Sequence, residues 1–158
     1  MSDNKESELG GIQGLFMGEV THSLDPKKRL TIPADWRESA GEPHGLYVLP
    51  DLDGRNFLSV FPAREMVQRI QRIRNLSIAD VKGRQFARML GSRSQLATWD
   101  TAGRIRINDS LLDHATLSDQ IVLVGAIDHF ELWNPEHWKR DCSTRVADLG
   151  EAARYVGF

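Results

Sequence analysis

The chain has 158 residues, of which 41% are hydrophobic and 27% are charged, and its formal net charge at pH 7 is -2. This size and balance predict one compact domain, or two closely packed halves, and argue against a multi-domain enzyme. The apolar runs are too short to cross a bilayer. Cys142 is the single cysteine, which excludes internal disulfides and multi-thiolate zinc sites. Together these features predict a cytoplasmic protein.

The first structured element is predicted to be a hairpin. Residues 1–15 are polar and acidic and are expected to form a flexible tail. After it, Phe16, Val20 and Leu24 alternate on one strand face, and residues 30–32 return after a tight turn. This pattern predicts two strands paired with each other.

The turn itself is expected at residues 25–28. Asp25 followed by Pro26 suits a type I turn, and Lys28 stands where glycine is usual if φ becomes positive. A short helix from Pro33 to Ala40, ended by Gly41, is predicted next. Apolar strands at 47–49 and 57–62 follow.

Two helices are predicted after these strands. Pro62 opens the first, on which an apolar stripe recurs at helical spacing: Met66, Val67, Ile70 and Ile73. Ser77 with Asp80 predicts a capping box for the second. The apolar residues in phase on that second helix are Ile78, Val81, Phe86 and Met89.

Charge is unevenly distributed along the chain. Residues 64–93 contain eight Lys or Arg against two acidic residues, whereas residues 109–158 contain nine acidic residues against four Lys or Arg. One face can therefore bind anions while another contacts basic surfaces, although the chain as a whole is mildly acidic.

The chain contains an internal repeat. Residues 24–33 align with residues 99–108 at an offset of 75, and they share the pattern Asp-x-x-x-Arg-apolar-x-Ile. In the second copy a helix capped by Asn108 or Asp109 is expected to run to about Ala115. Strands at 122–124 and 130–135 match those of the first copy. Two copies of one unit with flanking helices predict an α+β fold.

These residues resemble the MraZ family of bacterial transcriptional regulators. The resemblance covers residues 16–140, and its most specific segments are 18–33 and 122–138. It implies a tandem-repeat, AbrB-like swapped-hairpin β-barrel with flanking helices and a pseudo-twofold axis within one chain. The implied divisions are a tail (1–15), a first repeat (16–76), a connecting helix (77–92), a second repeat (93–140) and a C-terminal segment (141–158).

The resemblance also implies a function. It is that of a sequence-specific DNA-binding regulator without cofactor or catalysis, acting on a promoter of cell-division and cell-wall genes. The expected partners are operator repeats in double-stranded DNA and further copies of the chain in a closed ring. The expected location is the cytoplasm, at the nucleoid.

The predicted DNA contacts lie in and after the two turns. They are Lys27, Lys28, Arg29, Arg104 and Arg106. Asp25, Asp100 and Gly103 are expected to shape the motif. An alternative is that each arginine pairs with the aspartate four residues before it. Because three consecutive cations stand at the first turn, the first copy is expected to dominate DNA contact.

Two departures from the family pattern support a competing hypothesis. The family usually has glycine where Lys28 stands and proline where Asn108 stands. The competing function is a ring-forming scaffold or interaction protein that has lost DNA binding. A weaker alternative is a hydrolase or metal-binding domain using His129 and His137, since histidine is the commonest metal ligand.

The tryptophans near the end of the second copy have a structural interpretation. Trp133 and Trp138 flank Asn134-Pro135 at a strand-to-helix junction. They are expected to form a hydrophobic clamp in the core or at a subunit interface, because large aromatic rings dominate such sites.

Overall fold

A computed structural model describes residues 14–41, 45–145 and 148–158 of the chain. The predicted tail, residues 1–15, lies outside the described part except for its last two residues. The strands are β1 (Glu19–Ser23), β2 (Arg29–Thr31), β3 (Leu46–Pro50), β4 (Phe57–Pro62), β5 (Gln95–Ala97), β6 (Arg104–Arg106), β7 (Gln120–Gly125) and β8 (Phe130–Trp133). The helices are α1 (Ala34–Ala40), α2 (Ala63–Arg74), α3 (Val81–Arg93), α4 (Asp109–Ala115), α5 (Pro135–Arg145) and α6 (Leu149–Val156).

The strands form an α+β fold with two antiparallel sheets. The larger sheet has the order β1-β7-β8-β4-β3-β5, and the smaller contains only β2 and β6. In the small sheet Leu30 lies opposite Ile105, and these two residues occupy equivalent positions in the sequence alignment. When each strand of the larger sheet is replaced by its counterpart in the other aligned segment, the same order is obtained, read from the opposite edge. The edge strands β1 and β5 therefore each pair with a strand of the other segment, namely β7 and β3.

The predicted hairpin pairing is wrong, although its turn forms. β1 pairs with β7, and β2 pairs with β6, so neither strand forms a ladder with the other. The backbone bonds from Lys28 N to Asp25 O and from Asp25 N to Arg29 O close the turn between them. Local alternation predicts a strand but not its partner, because the partner lies about 75 or more residues away in sequence.

An aromatic cluster anchors the core between the sheets. Phe16, Trp36 and Phe130 pack together with ring centroids 4.9 to 5.9 Å apart, and Phe16 and Phe130 are fully buried. Leu30 and Ile105, at the centre of the small sheet, are also fully buried. The short helices α1 and α4 form where the sequence predicts them, and they cover this core through buried residues such as Trp36.

The helices between the aligned segments differ in detail from the prediction. α3 begins after Asp80, whose carboxylate accepts a hydrogen bond from Gly83 N, so Asp80 and not Ser77 caps it. Ser77 Oγ instead accepts from Ala79 N in the preceding turn. Met66 is buried on α2, but Val67 is 63% exposed, because it lies one residue round the helix from the side that faces the sheet.

Large apolar side chains on α3 and α6 point to solvent. On α3 and the turn before it they are Ile78, Val81, Phe86 and Met89. On and after α6 they are Leu149, Tyr155, Val156 and Phe158. The predicted apolar stripe of α3 is thus only partly covered within the described chain, with Phe86 and Met89 43% and 42% exposed. No helix among the described residues has the length and apolarity to cross a membrane.

The predicted tryptophan clamp is present. Trp133 stacks on Phe57 with ring centroids 4.4 Å apart and contacts Trp138 at 5.4 Å. Trp133 and Phe57 are buried and form a second, smaller apolar cluster with Val122. The cluster fastens α5 to the outer face of the large sheet, as the interpretation of core packing expected.

Candidate nucleic-acid interface

The aspartate of the first turn, residues 25–28, organises the whole loop. Its Oδ1 accepts hydrogen bonds from Lys27 N at 2.9 Å and Arg29 N at 2.8 Å. Its Oδ2 accepts from Arg29 Nε at 2.7 Å. One oxygen therefore holds the backbone and the other holds the guanidinium, which explains the four-residue spacing of the Asp-x-x-x-Arg pattern.

The second turn, residues 100–103, repeats this arrangement. Asp100 Oδ1 accepts from Ala102 N at 2.9 Å and from Arg104 N at 3.0 Å, and Oδ2 accepts from Arg104 Nε at 3.0 Å. The Arg104 Nη2 atom also lies 2.9 Å from Asp100 Oδ2. The two turns are built alike, so the repeated motif is a repeated side-chain geometry.

The small sheet brings the two turns together. Arg104 Nη1 lies 4.0 Å from Asp25 Oδ2, so the second turn's arginine lies close to both carboxylates. We call Asp25, Arg29, Asp100 and Arg104 the turn cluster. The side chains of Arg29 and Arg104 are 29% and 32% exposed. The alternative in which each arginine pairs with its own aspartate is therefore the arrangement of the free protein.

The turn cluster lowers the pKa of both of its carboxyl groups. Desolvation raises the pKa of Asp25, but the hydrogen bonds and charge of Arg29, with the Lys27 N–H, outweigh it and leave the value below 3.8. The Arg104 backbone N–H is the largest influence on the pKa of Asp100, which also falls below 3.8 against an opposing desolvation effect. Both aspartates are charged at neutral pH.

Three of the predicted DNA contacts lie on the surface beside this cluster. Lys27, Lys28 and Arg106 are exposed, and Arg106 pairs with Arg29 across the ladder of β2 and β6. Lys28 has a φ of 63°, and Gly103 has a φ of 77° at the equivalent position. The sequence-based expectation of a positive φ at this turn position is confirmed, and a lysine adopts it in the first turn.

An arginine that the motif search missed also lies at this surface. Arg37 on α1 packs against the second turn: a Cβ atom built on Gly103 would lie 2.4 Å from the Arg37 guanidinium carbon. The only signal for Arg37 in the sequence is a difference between the two copies. The residue equivalent to Arg37 in the second copy is Leu112, which is a buried core residue.

The histidines offered as metal ligands have other surroundings. His129 Nδ1 lies 2.6 Å from Asp128 Oδ1, its Nε2 lies 3.7 Å from Glu131 Oε2, and its ring stacks on Phe61. His137 N donates to Asn134 Oδ1 at the start of α5. In the described part of the chain, no group of three or more His, Cys, Asp or Glu residues is placed to hold a metal ion.

Comparison with known proteins identifies the family. Residues 90–153 match the family model of the MraZ protein, which is described as antitoxin-like. Three curated relatives share the name Transcriptional regulator MraZ. That of Corynebacterium jeikeium is 36% identical over 78% of this chain and 84% of its own length. Those of Roseiflexus sp. and Desulforamulus reducens are each 34% identical, over 85% and 90% of this chain and 91% and 97% of their own lengths.

Such identity over nearly the whole of both chains extends well beyond the two turns, and the relatives carry the name of regulators rather than of enzymes. The chain therefore belongs to the MraZ family.

Proposed function

We propose that the chain is a sequence-specific DNA-binding transcriptional regulator that acts on a promoter of cell-division and cell-wall genes. One observation carries the proposal: the pairing of β2 with β6 brings the two turns and the cations in and after them into one surface. A duplex carries a phosphate charge every ~1.7 Å of its axis, so adjoining cations can contact several phosphates at once. The relatives' shared name supports the regulatory role.

The turn cluster suggests how DNA engages the protein. Lys27, Lys28 and Arg106 are exposed and attract the phosphate backbone first. Arg29 and Arg104 then exchange their carboxylate partners for phosphate oxygens or for the O6 and N7 atoms of guanine. Asp25 and Asp100 keep the turns in shape, because their Oδ1 bonds to the backbone do not depend on the arginine side chains.

The first copy is proposed to dominate this contact. Its turn carries exposed Lys27 and Lys28 beside Arg29, whereas the second turn has Ala102 and Gly103 at the matching positions. We therefore expect Arg29→Ala to weaken binding more than Arg104→Ala. The opposite order in a titration at fixed salt would assign the main contact to the second turn.

We also propose the finer fold that the resemblance implies, a swapped-hairpin barrel of two repeats with the divisions given above. The crossed pairing of β1 with β7, of β3 with β5 and of β2 with β6 supports it, because the strands around each turn find partners in the other segment.

Several copies are proposed to assemble into a closed ring in the cytoplasm, at the nucleoid. The exposed large apolar side chains of α3 and α6 support an assembly, because burying such side chains against another copy would remove them from water. A ring presents many turns to regularly spaced sites, so weak single contacts add up through effective concentration. Native mass spectrometry of the full chain tests this: a monomer at micromolar concentration would contradict it.

The test of DNA binding is a fluorescence-anisotropy titration with duplex DNA from upstream of the chain's own gene, at two salt concentrations. Wild type should bind in a salt-sensitive manner, and Arg29→Ala should bind at least about tenfold more weakly. Arg72→Ala on α2 is the matched control, because it removes an exposed arginine outside the turns.

A scaffold ring is the second candidate, and one observation favours it. Both turn arginines are already paired with carboxylates, so no charge of the cluster is left over for DNA without an exchange of partners. If neither wild type nor variant binds duplex DNA at low salt while the ring forms, the scaffold function replaces the regulator.

A further inference from the structure

Arg37 differs from the turn arginines because its guanidinium has no polar partner among the described residues. No described residue accepts a hydrogen bond from it or forms an ion pair with it, and its Nε atom is buried without a partner. Arg37 as a whole is only partly buried, so part of its side chain remains open to solvent. A buried donor left without an acceptor costs free energy, and a ligand that supplies the acceptor would recover that cost.

The Arg37 guanidinium packs against Gly103 of the second turn. Gly103 lies in an exposed turn yet is itself buried, and the nearest atoms to a Cβ built on it are the Cζ, Nη1 and Nε atoms of Arg37. Any side chain at position 103 would displace the arginine. The second turn's glycine thus serves two purposes: it adopts a positive φ, and it admits a guanidinium from α1.

We propose that Arg37 is a further phosphate-binding residue of the DNA interface, and that it provides at the second turn an unpaired cation comparable to Lys27 and Lys28, for which the second copy has no counterpart. The inference rests on the proposed function. Arg104 is committed to Asp100 and lies close to Asp25, so Arg37 is the guanidinium at this turn that can bind a phosphate without first breaking an ion pair.

The arrangement also makes the interface asymmetric in a way that the repeat alone does not predict. Lys27 and Lys28 belong to the first turn, while Arg37 comes from the first copy's helix and serves the second turn. Leu112, the equivalent residue on α4, is buried and uncharged. The first half of the chain therefore places cations at both turns: Lys27 and Lys28 at the first, and Arg37 at the second.

The inference is tested by repeating the anisotropy titration over a series of salt concentrations with Arg37→Gln and Arg37→Lys. Arg72→Gln is the matched control for the loss of one charge. We expect Arg37→Gln to bind about tenfold more weakly at low salt and to reduce the slope of log K against log salt by about 0.9, the amount for one phosphate contact. Arg37→Lys keeps the charge and should keep the wild-type slope.

Each outcome decides the question. If wild type binds and Arg37→Gln binds with the same affinity and slope, or if Arg37→Lys loses as much slope as Arg37→Gln, Arg37 only packs on the turn and the inference is wrong. If Arg37→Gln and Arg72→Gln lose the same slope, the effect is one of general charge and the inference is also wrong. If wild type itself binds no duplex, the proposed function fails and this inference fails with it.

Discussion

Arg104 of the second turn lies 4.0 Å from Asp25 of the first, measured from Nη1 to Oδ2. The two residues are 79 positions apart in sequence, and only the short ladder of β2 and β6 brings them together. Because Arg104 also contacts Asp100, the two copies of the motif form one electrostatic unit. A change in either turn is therefore expected to affect both.

The negative charge of Asp25 should oppose DNA binding. We expect Asp25→Asn to raise non-specific affinity for duplex DNA about twofold to fivefold at low salt, the scale of one surface charge pair, because Arg29 and Arg104 then leave a weaker partner when they bind phosphate. Anisotropy titration measures this, with Asp35→Asn, an exposed acid on α1, as the control. Weaker binding by Asp25→Asn than by wild type would show instead that the carboxylate positions Arg29 for contact.

The turn cluster should also make stability depend on pH in the acid range. The folded pKa values of Asp25 and Asp100 lie below their ordinary 3.8, so the stabilisation they contribute is present above that value and is lost as pH falls through the lowered values. We expect the stability difference between wild type and the double variant Asp25→Asn/Asp100→Asn to be largest near neutral pH and to shrink below about pH 4. Urea unfolding at several pH values tests this; a constant difference would contradict it.

Lys28→Gly should change stability and DNA binding in opposite directions. Lys28 has a φ of 63°, where glycine carries no Cβ penalty, so we expect the free energy of unfolding to rise by about 0.5–1 kcal/mol. The same change removes a cation from the first turn and should weaken DNA binding. Lys27→Gly is the matched control, because it removes an equal charge at a residue without positive φ and should not stabilise the fold.

His129 should make stability depend on pH near neutrality. Desolvation lowers its pKa, but hydrogen bonds and charge from Glu131 and Asp128 outweigh this and raise it above 6.5. The stabilisation is therefore complete below pH 6.5 and is lost as pH rises through the higher folded value. The Oδ2 atom of Asp128 lies 3.8 Å from Arg69 Nη2, and the Phe61 ring stacks on the His129 ring.

Thermal melts at pH 6 and pH 9 measure this dependence. His129→Gln should lower the melting temperature more at pH 6 than at pH 9. Glu131→Gln is the control, since it keeps an acceptor for Trp133 Nε1 while removing one of the charges that favour protonated His129. An equal loss at both pH values for His129→Gln would mean that its role is packing on Phe61.

Phe130→Ala should be among the most damaging substitutions in the core. The side chain is fully buried and contacts both Phe16 and Trp36, so its loss leaves a cavity that rigid neighbours cannot fill. We expect a decrease of about 3–5 kcal/mol in the free energy of unfolding, against less than about 0.5 kcal/mol for Leu52→Ala, which is 67% exposed. Denaturant unfolding decides, and a small loss at Phe130 would contradict the assigned core.

The sequence by itself determined the elements and the turns. Local signals were sufficient: Pro33 and Gly41 delimit α1, Pro62 opens α2, and the Asp-x-x-x-Arg spacing predicts a turn whose carboxylate can reach both backbone and guanidinium. These features depend on residues within a few positions of one another, where backbone sterics and short hydrogen bonds dominate.

Only the tertiary structure decided which groups meet. Strand pairing between distant segments separated β1 from β2, brought Arg104 close to Asp25 and placed Arg37 against Gly103. None of these contacts leaves a periodic trace in the sequence, because each depends on how buried faces are shared across the whole core. The physical reason is that hydrophobic burial has no direction of its own, so the chain's partners are selected by the complete packing and not by any local pattern.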